Sequence, residues 1–172
     1  IETSAGRYRC SRLIVTPGPW ASQILKDLSL PLQVTWQQKF YFRPRDSTPY
    51  QPDRLPVYAD YDRQYYGFPH YGPGVKVADD AHGPVASPET VDRTLDLQQR
   101  DALGNWLETI MPGINHVFVE GATCMYTVTP DRDFLIGPHP KNPNILIGAG
   151  FSGHGFKFST LIGKILAELA TA

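Results

Sequence analysis

The chain has 172 residues, 41% of them hydrophobic and 19% charged, with a net charge of −1. That is enough chain and apolar content for a real core, while the near-neutral balance and the lack of a basic run argue against nucleic acid as the main partner. No apolar stretch approaches the roughly 18–20 residues that a membrane helix needs. Sixteen prolines and fifteen glycines call for many turns, which favours β-rich or mixed structure over a helical bundle. Cys10 and Cys124 are the only cysteines, too few for a disulfide framework. A reduced, cytoplasmic setting is the simpler reading.

Residues 1–16 read as a hairpin, with Ala5-Gly6 as its turn and residues 8–15 as the return strand. Pro17-Gly18-Pro19 breaks it. A short helix should follow, with Trp20, Ile24 and Leu25 on one face and Trp20 in the core. Residues 32–42 look like a long strand, because Val34, Trp36, Phe40 and Phe42 are β-formers. Residues 57–59, 64–69 and 74–77 are three further strands, closely spaced, so antiparallel pairing is expected. Leu103, Trp106, Leu107 and Ile110 recur at helical spacing within 96–111. Asp96 and Gln99 form a candidate capping pair, and Pro112-Gly113 is a stop. Residues 117–119 and 122–127 read as one strand kinked near Gly121. The closing helix, 156–170, sets Phe158, Leu161, Ile162, Ile165, Leu166 and Leu169 on one stripe.

Residues 120–158 hold the densest group of motifs. Cys124-Met125-Tyr126-Thr127 sits in a strand-like segment. Asp131-Arg132-Asp133 makes an acidic turn before the apolar run 134–137. Residues 144–150 form an apolar strand that ends in glycines and leads into Phe151-Ser152-Gly153-His154-Gly155-Phe156-Lys157. A strand, glycines and a helix start can cradle an anion; an ordinary tight β–α connection has the same pattern. Lys157 in the first helical turn sits against the positive end of the dipole, a conflict that a bound anion would remove. Cys124 reads either as a small buried hydrophobe or as a reactive thiol. Lys76 stands on the opposite strand face from Val75 and Val77. His70, His116 and His139 read as loop residues, and the five histidines have no ligand-like spacing, so no metal is expected.

These pieces together resemble the C-terminal part of the monomeric sarcosine oxidase and N-methyltryptophan oxidase family of flavoenzymes. The matching stretches are CMYT, the TPD turn and GAGFSGHGFKFS. Upstream, Leu13-Ile14-Val15, Pro19-Trp20, Tyr65-Tyr66-Gly67-Phe68-Pro69, Lys76 and Met111-Pro112-Gly113 also match. The resemblance implies an α+β fold: a largely antiparallel substrate domain with helices, over 31–129, flanked by parts of an FAD-binding α/β domain, 1–30 and 130–172. It implies FAD as cofactor, joined by a thioether to Cys124 in the intact parent. Met125, Gly150, Phe151, Ser152, Gly153, His154, Gly155 and Lys157 would lie against that FAD. Lys157, Tyr66 and Asp80 would contact the substrate; Lys76, Tyr66 and His82 would be catalytic.

Asp80 stands where relatives often have a histidine, with His82 two residues later, which points to a more basic or larger amine than sarcosine. The implied reaction oxidises a secondary or N-methyl amino acid to an imine and reduces oxygen to hydrogen peroxide. The alternatives are a flavin-dependent dehydrogenase and a non-catalytic, cofactor-free domain. The family's GxGxxG turn is not found, so the chain is expected to be a piece whose N-terminal half is missing. Alone it is expected to be inactive and to hold FAD weakly or not at all. Its expected partners are a small amino acid, oxygen and that other half.

Overall fold

The computed structural model describes residues 1–81 and 83–172, so the expectation placed on His82 lies outside the described residues. The fold is a mixed α+β one. Two compact units emerge: Thr35–Met125, and a second made of Ile1–Val34 with Tyr126–Ala172. Each has its own sheet and core. Among the described residues no helix is long and apolar enough to cross a membrane.

The Thr35–Met125 unit is built on a five-stranded sheet. Its strands are β4 (Gln33–Arg43), β5 (Tyr58–Asp60), β6 (Tyr65–Tyr71), β7 (Gly74–Asp79) and β8 (Val117–Val128). The order is β5-β6-β7-β4-β8. The pairs β5–β6, β6–β7 and β4–β7 are antiparallel, as short strands with brief turns demand. Alternation along the strands divides the sheet into two faces. One face carries Phe40, Phe42, Val75 and Val77. Against these pack Leu103, Trp106 and Leu107 from helix α2 (Leu97–Ile110), together with Ile114. Phe118 and Gly121 both approach Phe40 although they are an odd number of residues apart, so the alternation of β8 slips by one residue between them.

Asp96 caps α2, its carboxylate accepting from the Gln98 and Gln99 N–H groups. The reciprocal half of the expected capping pair is absent. The Asp96 N–H donates instead to Gln38 Oε1 at 2.8 Å. Gln38 is 1% exposed, and its amide also donates to the Thr94 carbonyl at 2.8 Å and Thr123 Oγ1 at 3.1 Å. One buried side chain thus ties the start of α2 to β4 and β8. Gln38→Leu would leave an N–H and a carbonyl without partners. At about 1–3 kcal/mol for each unpaired group, urea unfolding should show a loss of about 2–6 kcal/mol; a loss below about 0.5 kcal/mol would mean water replaces both bonds.

The other unit holds a three-stranded sheet in the order β3-β10-β9, from β3 (Leu13–Val15), β9 (Leu135–His139) and β10 (Asn142–Ala149). β10 runs parallel to β3 and antiparallel to β9. Its alternation serves both faces. Leu146 meets Ile162 and Leu166 of helix α3 (Ser159–Thr171), whereas Ile147 and Ala149 meet Ala21 and Leu25 at α1 (Ala21–Ile24). Arg12 donates to the Leu169 and Ala172 carbonyls at 2.9 and 3.0 Å, a cation at the helix end where the dipole favours one.

Several expectations need correction. The N-terminal hairpin is confined to β1 (Glu2–Thr3) and β2 (Gly6–Arg7). Leu13–Val15 leaves it because three apolar residues gain more from parallel pairing with Ile145, Leu146 and Ile147. Trp20 is 41% exposed and not core. The helix is a single turn, so only Ala21 and Leu25, four residues apart, face the sheet. Leu161 is exposed as well, because the α3 stripe narrows to Ile162 and Leu166, with Ile165 and Leu169 at its margin. His70 lies on β6, and His139 is the buried last residue of β9, with Nε2 3.2 Å from Asp27. His116, just before β8, stacks edge-on against Phe42 and pairs with Glu108 at 2.9 Å.

Candidate active site

The face of the large sheet opposite α2 gathers most of the chemistry. In the β4–β7–β6 register, Tyr41, Lys76 and Phe68 form one row, and Lys39, Ala78 and Tyr66 form the next. Residues in such rows share a face. The Lys76 ammonium lies 4.6 Å from the Phe68 ring centre and 4.8 Å from that of Tyr66. Nζ is 3.5 Å from the Tyr66 hydroxyl, the far limit of a hydrogen bond. Cys124 belongs to the same face. Thr123 reaches Gln38 on the α2 side, so its neighbour Cys124 points the other way. Cys124 is half-buried, whereas Cys10 is exposed.

Electrostatics link these groups. Burial holds the Lys76 amine below the usual lysine value, and the Lys39 charge pushes it further down. Cys124 acts in the opposite direction and supports the charge.

The backbone beneath Lys76 is fixed from the other side of the sheet. The Tyr58 hydroxyl donates to the Lys76 carbonyl at 3.1 Å, and burial pushes the Tyr58 phenol above its ordinary value. Tyr58 reaches that carbonyl by crossing Gly67. A Cβ there would sit 2.2 Å from the Tyr58 ring and 2.4 Å from the Lys76 oxygen. The glycine of the Tyr-Gly-Phe-Pro stretch is therefore needed for close approach.

Other site residues stand apart from this group. Asp80 is exposed just past the end of β7, its N–H donating to the Gln64 carbonyl. Its charge acts on Asp79, whose carboxyl is raised chiefly by burial, and is not among those acting on Lys76. Met125 alternates with Cys124 and so points toward the α2 face.

Gly150, Phe151, Ser152, Gly153, His154, Gly155 and Lys157 belong to the Ile1–Val34 and Tyr126–Ala172 unit. There the expected step from strand to helix is corrected. β10 ends at Ala149 and α3 begins only at Ser159, with a turn and a 3-10 turn (Phe156–Phe158) between them. The cause is left-handed backbone at Gly150, Ser152 and Gly153, with φ of +66°, +48° and +84°. Gly150 needs its missing side chain twice over, since a Cβ would meet Thr129 at 2.5 Å. Ser152 is buried and locks the turn, its N–H donating to the Thr127 carbonyl at 2.9 Å and its hydroxyl to Gly150 O at 3.1 Å. His154 Nε2 lies 3.1 Å from the Arg132 carbonyl, the ring 4.9 Å from Phe134. Lys157 is exposed, in the 3-10 turn and not in the first turn of α3, with its ammonium 5.5 Å from the Phe158 ring.

Lys39, Tyr41 and Tyr58 were missed in the sequence. The signal for the first two was there, because alternation from Phe40 sends both to the face opposite α2. Tyr58 needed the pairing register.

Monomeric sarcosine oxidase of Streptomyces avermitilis is 39% identical over 99% of this chain and 46% of its own length. N-methyl-L-tryptophan oxidase of Escherichia coli is 31% identical over the same shares. The chain thus spans about half the length of the relatives it matches. Amadoriase I of Aspergillus fumigatus, a fructosyl amine:oxygen oxidoreductase, shares the fold alone, with a TM-score of 0.79 at 23% identity over 98% of this chain and 42% of that one. The family model described as FAD dependent oxidoreductase matches residues 1–169, and the chain belongs to that family.

Proposed function

We propose that this chain is part of an oxidase that converts a secondary or N-methyl amino acid to the imine and passes the electrons to oxygen, giving hydrogen peroxide. The observation that carries the reading is the shared face of Lys76, Tyr66 and Cys124, with Cys124 supporting the Lys76 charge. A thiol beside a half-buried cation fits a flavin: the sulfur can bond the ring system, and the cation can stabilise negative charge that develops there. FAD, when bound, supplies the two-electron chemistry.

The chain's own residues have distinct tasks in this reading. Cys124 holds the cofactor by a thioether. Lys76 presents a fixed positive charge where oxygen is reduced, and Tyr66 contacts the substrate beside it. Lys157 binds the amino acid's carboxylate, with the 150–155 turn and His154 against the cofactor. The Thr35–Met125 unit is the substrate domain, and the other unit belongs to the flavin domain. Free thiols on both cysteines suit the cytoplasm.

The test uses the full-length protein with sarcosine and N-methyl-L-tryptophan under air. Oxygen uptake matched by hydrogen peroxide supports the reading. Turnover that needs an artificial electron acceptor, with no peroxide formed, would replace it with a dehydrogenase.

A further inference from the structure

Lys39 has no task in that reading, yet its surroundings are those of a binding residue. It is half-buried on the face opposite α2, one row from Lys76, with its ammonium 5.6 Å from the Tyr41 ring centre. Tyr41 stands beside Lys76 on the Lys39 strand, and Tyr66 and Phe68 flank Lys76 on its other side. Among the described residues, neither lysine forms an ion pair with a carboxylate; the lysines that do are Lys141 and Lys164. The charges acting on Lys76 are Lys39, which repels it, and Cys124, which attracts it. A thioether at Cys124 would remove that one attraction. The half-buried Lys76 ammonium, one row from a second lysine, would then lack a counter-charge among the described residues, an arrangement that an anion relieves.

We propose that Lys39 is a specificity-determining residue that receives a second carboxylate, so that the substrate is a dicarboxylic amine such as an N-methylated acidic amino acid. The proposal rests on the oxidase reading, in which the substrate is an amino acid whose α-carboxylate is bound by a residue other than Lys39. It runs against the expectation from Asp80 of a more basic amine, and the geometry favours it: Asp80 is exposed past the strand end, whereas Lys39 stands in the rows that hold Lys76 and Tyr66.

Two measurements on the full-length protein test it. Calorimetric titration compares succinate with succinamate, which have nearly the same shape and differ by one charge. Succinate should bind at least about tenfold more tightly, a charge-assisted contact being worth about that much. Lys39→Gln should reduce the preference to about twofold or less, and Lys39→Arg should retain most of it. Equal binding of the two probes to the unaltered protein, or an unchanged preference in Lys39→Gln, would overturn the proposal. If Lys39→Gln does not fold, the unaltered protein and Lys39→Arg decide, since loss of preference with the charge retained also overturns it.

The second measurement is kcat/KM for N-methyl-L-aspartate, N-methyl-L-asparagine and N-methyl-L-lysine. The aspartate should exceed the asparagine by about tenfold; a preference for the lysine would restore Asp80 as the determinant and overturn Lys39. A protein that oxidises sarcosine but none of the three overturns the proposal; one that oxidises neither sarcosine nor any of them fails the oxidase reading, while the calorimetric ratio still decides whether Lys39 binds the second carboxylate.

Discussion

Cys124→Ser in the full-length protein is expected to leave no flavin attached after acid precipitation: a colourless pellet and a yellow supernatant. The bond requires a sulfur nucleophile, and a thiolate is the reactive form. A serine hydroxyl stays protonated at neutral pH and is far less nucleophilic, so the same position offers no comparable attack. The neighbourhood favours Cys124 for this role. It is half-buried and shares a sheet face with Lys76, whose positive charge attracts a negative sulfur. Cys10 is exposed and lies between the short N-terminal hairpin and β3. Cys10→Ser should therefore retain the yellow pellet. The fold should tolerate Cys124→Ser, because the two side chains are close in size and β8 is held by its sheet neighbour and by the Gln38–Thr123 bond. A yellow pellet from Cys124→Ser would assign the linkage to another residue; a yellow pellet lost only in Cys10→Ser would assign it to Cys10.

Much of this site could be read from the chain, and the limits have physical causes. The strands at 32–42, 64–69 and 74–77 carried β-formers and short turns, which suffice for antiparallel pairing. They also set which residues share a face, so Lys76 could be placed opposite Val75 and Val77. Alternation does not give register. That Tyr41 stands beside Lys76, and Lys39 one row away, follows only from how β4 and β7 are paired. Tyr58 was out of reach for the same reason, since its bond to the Lys76 carbonyl depends on Gly67 lying between them.

Long-range pairing defeated the N-terminal reading. Leu13–Val15 looks like the end of a hairpin locally, but its partner strand comes near the other end of the chain. The glycine-rich turn was legible as a special backbone and not as a particular one. Ser152 at φ +48° is a left-handed residue that is not glycine, and its buried hydrogen bonds offset that strain. His139 reads locally as a loop residue, yet it closes β9. It is buried there, and its partner, Asp27, is distant in sequence.

Lys76→Met is expected to slow reoxidation of the reduced flavoprotein by oxygen about 10²–10³-fold, the usual cost of losing one well-placed electrostatic group, or about 2.7–4 kcal/mol. Anaerobic reduction by substrate should change by less than about tenfold. The two half-reactions differ in what they ask of the cation. Substrate reduction moves a hydride, and little of that step depends on charge beside oxygen. Oxygen reduction places new negative charge there, and a fixed ammonium lowers its cost.

Methionine is a fair replacement at this position. It keeps the length of the side chain and still packs on the Tyr66 and Phe68 rings, where a thioether is a good neighbour. The backbone of residue 76 stays in place because Tyr58 holds its carbonyl and β4 and β6 pair on either side. A second signature comes from pH. Burial and the Lys39 charge hold the Lys76 amine below the usual lysine value. The unaltered protein should therefore lose its fast reoxidation as pH rises through that lowered value, and Lys76→Met should show no such fall. Stopped-flow mixing with oxygen and with substrate separates the cases. If both half-reactions drop together, Lys76 positions substrate; if neither changes, the oxygen-side cation is elsewhere, with Lys157 the next to test.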